Sequence, residues 1–415
     1  MAHSTPLGDI VRAHRRTAGW SQERLAEESG LSVGTVRNIE QRGHARLETL
    51  SKVAAAFGLT TTELFASGAP LPVGEDSQNR QLLAHFRQAL MPPVGIGPEP
   101  LTDPGEPEAL PVVRRRIEDA NQLYYAHRYD SAARMLPGLL RSAEAALVAA
   151  GDGEDRQEAV LVRADALFLA GKYLTQVRQY DLAYQAHTAS IRLGRESGNM
   201  LTAATGVIGL CWLLLRQDRF DECEHLAATT AEAIEPKLST ASRGQLAAWG
   251  ELHLRVAAAA IRNNRPDEAK EARRMAATAA AAIGVEHTDH RSHFACFGPV
   301  TAELKVVEDL ALAGDHRAVL RRADDGLLSQ SAMRKIGKPA ENDYNRHRLD
   351  VAQAHVKLGS TQDAMDELVR IRTTAGEWIK HQPMARYIME DILRTRKRTL
   401  TKEMREMAAY LDAHA

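Results

Sequence analysis

Residues 21–65 read SQERLAEESGLSVGTVRNIEQRGHARLETLSKVAAAFGLTTTELF. Ser21 is a good N-cap for a helix that buries Leu25 and Ala26. Gly30 follows Ser29 where the chain must turn sharply, a position suited to positive φ. Leu31 then plugs a core, and Ser32 caps a further helix whose Val36 and Ile39, three apart, face inward. The remaining positions of that helix face outward. Leu47, Leu50 and Val53 predict a fourth helix. Thr61 or Thr62 opens a short last one that buries Leu64 and Phe65. On the N-terminal side, a helix from about Leu7 to Thr17 buries Leu7, Ile10 and Val11. Cap, turn glycine and apolar spacing agree in one register, which predicts a compact five-helix domain over residues 1–66.

This segment resembles the phage-repressor and Cro-type helix-turn-helix family, also called the XRE family. The resemblance covers about the first sixth of the chain. It implies that the third helix enters the DNA major groove. The candidate base readers are then Val33, Gly34, Arg37 and Asn38, with Ser32 at the start of the same surface. Arginine can fork onto guanine, asparagine onto adenine, and Val33 can touch a thymine methyl. Gln22 stands where the family uses a helix-two glutamine to anchor backbone and first base. Thr35, Arg42, His44 and Arg46 are candidate phosphate contacts, which position a domain without reading sequence. Ala45 departs from the family, many of whose members carry proline in this loop. Residues 1–66 hold eight Lys/Arg against seven Asp/Glu. The arginines gather after the third helix, and Glu23, Glu27 and Glu28 sit on the second.

Beyond residue 66 the composition changes. Nine of the sixteen prolines lie between Pro70 and Pro111. Proline removes backbone donors and disfavours helix, so residues 67–111 read as a linker. Within it, Asn79–Met91 places Leu82, Leu83, Phe86 and Leu90 on one helical face, able to dock on either domain or on a second chain. From residue 112 onward the pattern is helical almost throughout. Six hexads recur there, beginning at His127, Arg178, Asp218, Asn264, Gly314 and Gly359. Each ends one helix and opens the next, often with an aromatic at its third place. Each closes on a small residue: Ala132, Ala183, Cys223, Ala269, Val319 and Ala364, spaced 51, 40, 46, 50 and 45 apart. This order resembles the tetratricopeptide repeat, although that family's basic period is 34 residues. The resemblance implies an α-solenoid of helical hairpins over residues 112–415, with the first helix of each hairpin lining a concave face. Candidate ligand contacts on those first helices are Asn121, Tyr124, Tyr125, Arg163, Tyr173, Trp212, Trp249, His253, Asn345 and Arg348.

The bulk properties are consistent with an all-α chain of two or more domains. It has 415 residues, a formal net charge of -1, 44% hydrophobic and only 5% aromatic residues, with almost no β-branched alternation. A net charge near zero allows DNA binding through a local patch. No apolar run reaches the ~20 residues of a membrane span, and the N-terminus lacks a signal-peptide core, so a cytoplasmic protein with no membrane partner is expected. Cys211, Cys223 and Cys296 are too scattered for a disulfide framework and read as buried apolar side chains. His287, His290 and His293 form H-x-x-H-x-x-H. Without HExxH or a general base, that run reads as a polar inter-helix loop, and no metal or cofactor is expected. The basic run Arg394, Arg396, Lys397, Arg398, Lys402 and Arg405 reads as the solvated face of a terminal helix, with Ile392, Leu393, Leu400 and Met404 behind it.

Bacterial regulators with a Cro-type domain before a tetratricopeptide array offer the matching architecture. The resemblance implies a homodimeric, sequence-specific transcription regulator on double-stranded operator DNA. Its array would dimerise it and sense a small molecule, peptide or partner protein. An interaction adaptor with secondary DNA binding is the alternative class. A catalytic role has only the histidine run behind it, and no enzyme is expected.

Overall fold

In the computed structural model, residues 6–43, 45–61, 64, 77–93, 96, 105–287, 296–395 and 399–414 are described. The chain is all-α: among the described residues there is no strand, only one isolated bridge between His287 and Phe297.

The N-terminal helices are α1 (Pro6–Thr17), α2 (Gln22–Ser29), α3 (Val33–Arg42) and α4 (Leu47–Ala56). Their boundaries follow from local chemistry. The Ser21 Oγ accepts from the Arg24 amide at 3.1 Å, and the Ser32 Oγ from the Thr35 amide at 3.0 Å. Gly30 ends α2 at φ 64, and the Leu31 amide reaches back to the Ala26 carbonyl at 2.9 Å. The core here is Leu7, Val11, Leu25, Val36, Ile39, Leu50, Val53 and Leu64. Ile10 is only half-buried. Of the expected fifth helix, only Thr61 and Leu64 are described, and both are buried; Thr62 and Phe65 lie outside the described residues.

The helix within the proline-rich segment is α5 (Ser77–Leu90). Phe86 is fully buried and stacks on Tyr173 at 5.7 Å, so α5 docks on the C-terminal helices. Those helices are α6 (Leu110–Tyr125), α7 (Tyr129–Ala149), α8 (Glu154–Gln176), α9 (Tyr180–Glu196), α10 (Met200–Arg216), α11 (Phe220–Ala233) and α12 (Arg243–Arg262). They continue with α13 (Pro266–Ile283), α14 (Pro299–Leu312), α15 (His316–Arg322), α16 (Gln330–Ile336), α17 (Glu341–Lys357), α18 (Thr361–Lys380), α19 (Pro383–Thr395) and α20 (Lys402–Leu411).

The six hexads are six copies of one turn. Their first residues, His127, Arg178, Asp218, Asn264, Gly314 and Gly359, all have positive φ, from 57° to 86°. In each, the second residue's amide donates to the carbonyl five residues earlier, for instance Arg128 to Leu123 at 2.9 Å and Arg265 to Ala260 at 2.8 Å. This is the Schellman arrangement, which satisfies the last carbonyls of the outgoing helix. The third residue begins the next helix every time. The closing residues Ala132, Ala183, Cys223, Ala269, Val319 and Ala364 are all buried, as close helix approach requires. The third place is buried only where it holds Tyr129 or Phe220, and Pro266 is exposed.

Sequential helices pack as hairpins. Alternate helices α6, α8, α10, α12, α14, α17 and α19 also touch one another in order, forming an inner layer. The array then closes on its own start. The Tyr129 hydroxyl lies 3.4 Å from the Asn342 Oδ1, the Asp130 amide donates to Glu377 at 3.4 Å, and His127 faces Trp378 at 6.4 Å. The C-terminal basic run has its apolar side packed: Ile392 and Met404 are buried, while Arg394, Lys402 and Arg405 are exposed. Arg396, Lys397 and Arg398 lie outside the described residues. Among the described residues, no helix is long and apolar enough to cross a membrane.

Candidate nucleic-acid interface

The orientation of α3 is set from behind by a buried carboxylate. Glu40 is 1% exposed. It accepts from Arg15 Nε at 2.6 Å and Nη2 at 3.0 Å, and from Gln22 Nε2 at 2.8 Å. Burial alone would raise this carboxyl. The hydrogen bonds from Arg15 and Gln22, with the charges of Arg15 and Arg12, hold it below the usual glutamate value. Three helices are thereby tied together: Arg15 on α1, Gln22 at the start of α2 and Glu40 on α3. Gln22, expected at the DNA surface, spends its amide nitrogen on this link.

The opposite side of α3 is open. Ser32, Gly34, Arg37, Asn38 and Arg42 are exposed, and Val33 and Thr35 are half-buried. The Thr35 and Ser32 hydroxyls are 2.8 Å apart. Among the described residues, nothing hydrogen-bonds the side chains of Arg37, Asn38 or Arg42. They form a surface of donors and acceptors with no internal commitment, which is what base and phosphate contact needs. His44 lies outside the described residues. Arg46 is exposed but already engaged: its Nη1 donates to the Asn264 Oδ1 of the array at 3.0 Å.

A second contact joins the same two parts. The Thr61 Oγ1 donates to the Asp218 Oδ1 at 2.9 Å, and the Thr61 amide donates to the Asp218 Oδ2. One carboxylate of the array thus meets both the backbone amide and the hydroxyl of Thr61. Asp218 and Asn264 are both first residues of hexads, so two copies of the repeated turn carry the N-terminal domain.

Between them lies a cavity of about 690 Å³. Leu7, Gly43, Leu47, Leu50 and Thr61 wall it on the N-terminal side, and the inner-layer helices wall most of the rest, with Phe220, His316 and Trp378 from neighbouring helices. Of the ten residues expected to contact a ligand, the structure brings Tyr124, Tyr125 and Trp212 to this wall. The other seven are elsewhere. Arg163 pairs with Glu144 at 2.8 Å and Arg348 with Glu367 and Asp324. Tyr173 packs on Phe86, Trp249 meets His253 edge-on at 4.7 Å, and Asn121 and Asn345 are buried. The residues that sequence reading missed are the cavity's charged ones. Glu251 pairs with Arg255 at 2.8 Å, Glu308 with Arg262 at 2.9 Å and with Lys305 at 3.0 Å, and Asp343 with Lys305 at 3.5 Å. Their signal was present as i, i+4, i+8 rows such as Phe168, Lys172 and Gln176, but nothing in the sequence indicated which row faces in.

His287 sits at the isolated bridge, and His290 and His293 lie outside the described residues. The three cysteines are buried, and the Cys211 and Cys223 thiols face each other's carbonyls.

A helix-turn-helix family model matches residues 11–64. The N-terminal helices are therefore a DNA-binding domain of the XRE helix-turn-helix type. The chain as a whole matches no curated protein.

Proposed function

We propose that the protein is a sequence-specific transcription regulator. In this reading residues 1–66 find an operator and the array from residue 112 is a tetratricopeptide-like module that dimerises the chain and senses an effector. The observation that carries the reading is the uncommitted surface of Arg37, Asn38 and Arg42 on a recognition helix held from behind by Glu40. A cavity large enough for a drug-sized molecule, walled by both parts, supports a sensing role. The six equivalent turns support the repeat assignment. The chain is read as a binder and not as a catalyst.

Electrophoretic shift with genomic fragments tests this. A subset of fragments shifts with strong preference, and Arg37→Ala and Asn38→Ala each lose ~1–3 kcal/mol of discrimination at particular base pairs. Arg42→Ala weakens binding to all sequences alike. Unchanged sequence preference in the Arg37 and Asn38 variants would show that α3 does not read bases.

A further inference from the structure

Within the cavity the acidic groups are spoken for. Glu251, Glu308 and Asp343 are matched by Arg255, Arg262 and Lys305. Three cations remain at the wall around Tyr124. Lys172 donates to the Tyr125 hydroxyl at 2.9 Å and stands 4.7 Å from the centre of the Tyr124 ring and 4.3 Å from that of Tyr125. Arg216 lies over the Trp212 ring at 5.2 Å, and its Nη2 is buried with no hydrogen-bond partner. Arg346 reaches the same wall from α17. Among the described residues no carboxylate pairs with any of the three.

An unpaired buried cation is costly unless something pairs with it part of the time. Here burial presses the Lys172 ammonium down to about 8. Burial together with the Arg346 charge brings the Arg216 guanidinium down to about 10. Around the three cations the surface is aromatic: Tyr124, Tyr125 and Trp212 give flat apolar faces.

We propose that this cavity binds a small organic anion with an aromatic body, its charge met by Lys172, Arg216 and Arg346 and its ring by Trp212 and the two tyrosines. The proposal deepens the reading of the array as a sensor, rests on it, and names the ligand class. Arg216 offers a fork of two nitrogens to a carboxylate or sulfonate, and the volume suits one such molecule and not a folded partner.

The full-length chain is titrated with two dyes that share a ring system, anilinonaphthalene sulfonate and the uncharged phenylnaphthylamine, and fluorescence is followed. The sulfonate binds saturably at one per chain and at least about tenfold tighter than the neutral dye, and tryptophan emission is quenched. Arg216→Gln and Arg346→Gln each weaken the sulfonate about tenfold and leave the neutral dye unchanged. Both variants still fold, because neither loses an ion pair. Equal affinity for the two dyes, no saturable binding of the sulfonate, or wild-type sulfonate affinity in both variants would overturn the proposal. Dye binding is read without DNA, so its failure is distinct from failure of the operator shift.

Discussion

His187 shows what one side chain can decide. It is fully buried on α9, and a Cβ added at Gly171 or Gly209 would meet its ring at 2.6 or 2.5 Å. Two glycines on neighbouring inner helices therefore make room for one imidazole. Burial, helped by the Lys172 charge, lowers its pKa from the ordinary histidine value to about 3. Between pH 6.5 and about 3 the unfolded chain binds this proton and the folded chain does not. The group thus costs nothing above pH 6.5 and destabilises progressively as pH falls through that window, by up to ~1.4 kcal/mol per pH unit. Denaturant unfolding at pH 5 and 7 checks this: His187→Asn has a shallower pH dependence than wild type by up to one proton. A steeper or equal slope would place the titration elsewhere. Gly209→Ala, which overfills the same space, lowers stability by ~1–3 kcal/mol.

At the scale of elements the recurring unit is the turn and not the helix. Four of the six hexads place a non-glycine residue at positive φ, a conformation that costs a Cβ-bearing residue roughly 1 kcal/mol. Arg178, at φ 60°, is half-buried. Arg178→Gly raises the melting temperature or leaves it unchanged, and Arg178→Ile lowers it, since a β-branched side chain is least tolerant of that region. Asp218 adds a second task, because its carboxylate holds Thr61. Asp218→Gly keeps the turn and removes the acceptor. Amide exchange at Thr61 then accelerates while the array melts as before; unchanged protection at Thr61 would mean that this contact does not hold the domain.

For the whole molecule, the important fact is closure. Contacts from Tyr129 and Asp130 to Asn342 and Glu377 join parts of the chain more than 200 residues apart, and Trp378 is fully buried at the seam. Trp378→Ala removes a large buried ring, costs ~3–5 kcal/mol, and enlarges the very wall that the cavity shares with α18. A lone helix-turn-helix domain makes few base contacts, so useful specificity needs two copies on half-sites about one helical turn apart. Residues 1–66 alone therefore fold but bind an operator far more weakly than the full chain. Equal affinity of the full-length chain for one half-site and for the complete operator would remove the case for a dimer. If the array senses an effector as proposed, operator and ligand alter each other's affinity by one common factor, measurable in the same assay.

The N-terminal domain was legible in the sequence because its determinants are local. Ser21, Ser32 and Gly30 set helix ends within four residues of themselves, and Val36 and Ile39 show one apolar face. The hexads were legible for the same reason: a Schellman turn is made within six residues. What the sequence could not show was which row of each inner helix faces the cavity. On α8 nearly every residue from Val162 to Gln176 is buried, so no polar side marks the outside, and Arg163 and Tyr173 were indistinguishable in pattern from Lys172. That choice is made by tertiary contacts: α5 covers Tyr173, Glu144 on α7 takes Arg163, and of these three residues only Lys172 is left turned inward without an acid. Docking of the DNA-binding domain on the array was equally out of reach. It depends on Asp218 and Asn264 meeting Thr61 and Arg46, and single polar pairs between residues far apart in the chain carry no period. Local hydrogen bonding determined the elements; the closure of the array determined which charges share a cavity and which are neutralised.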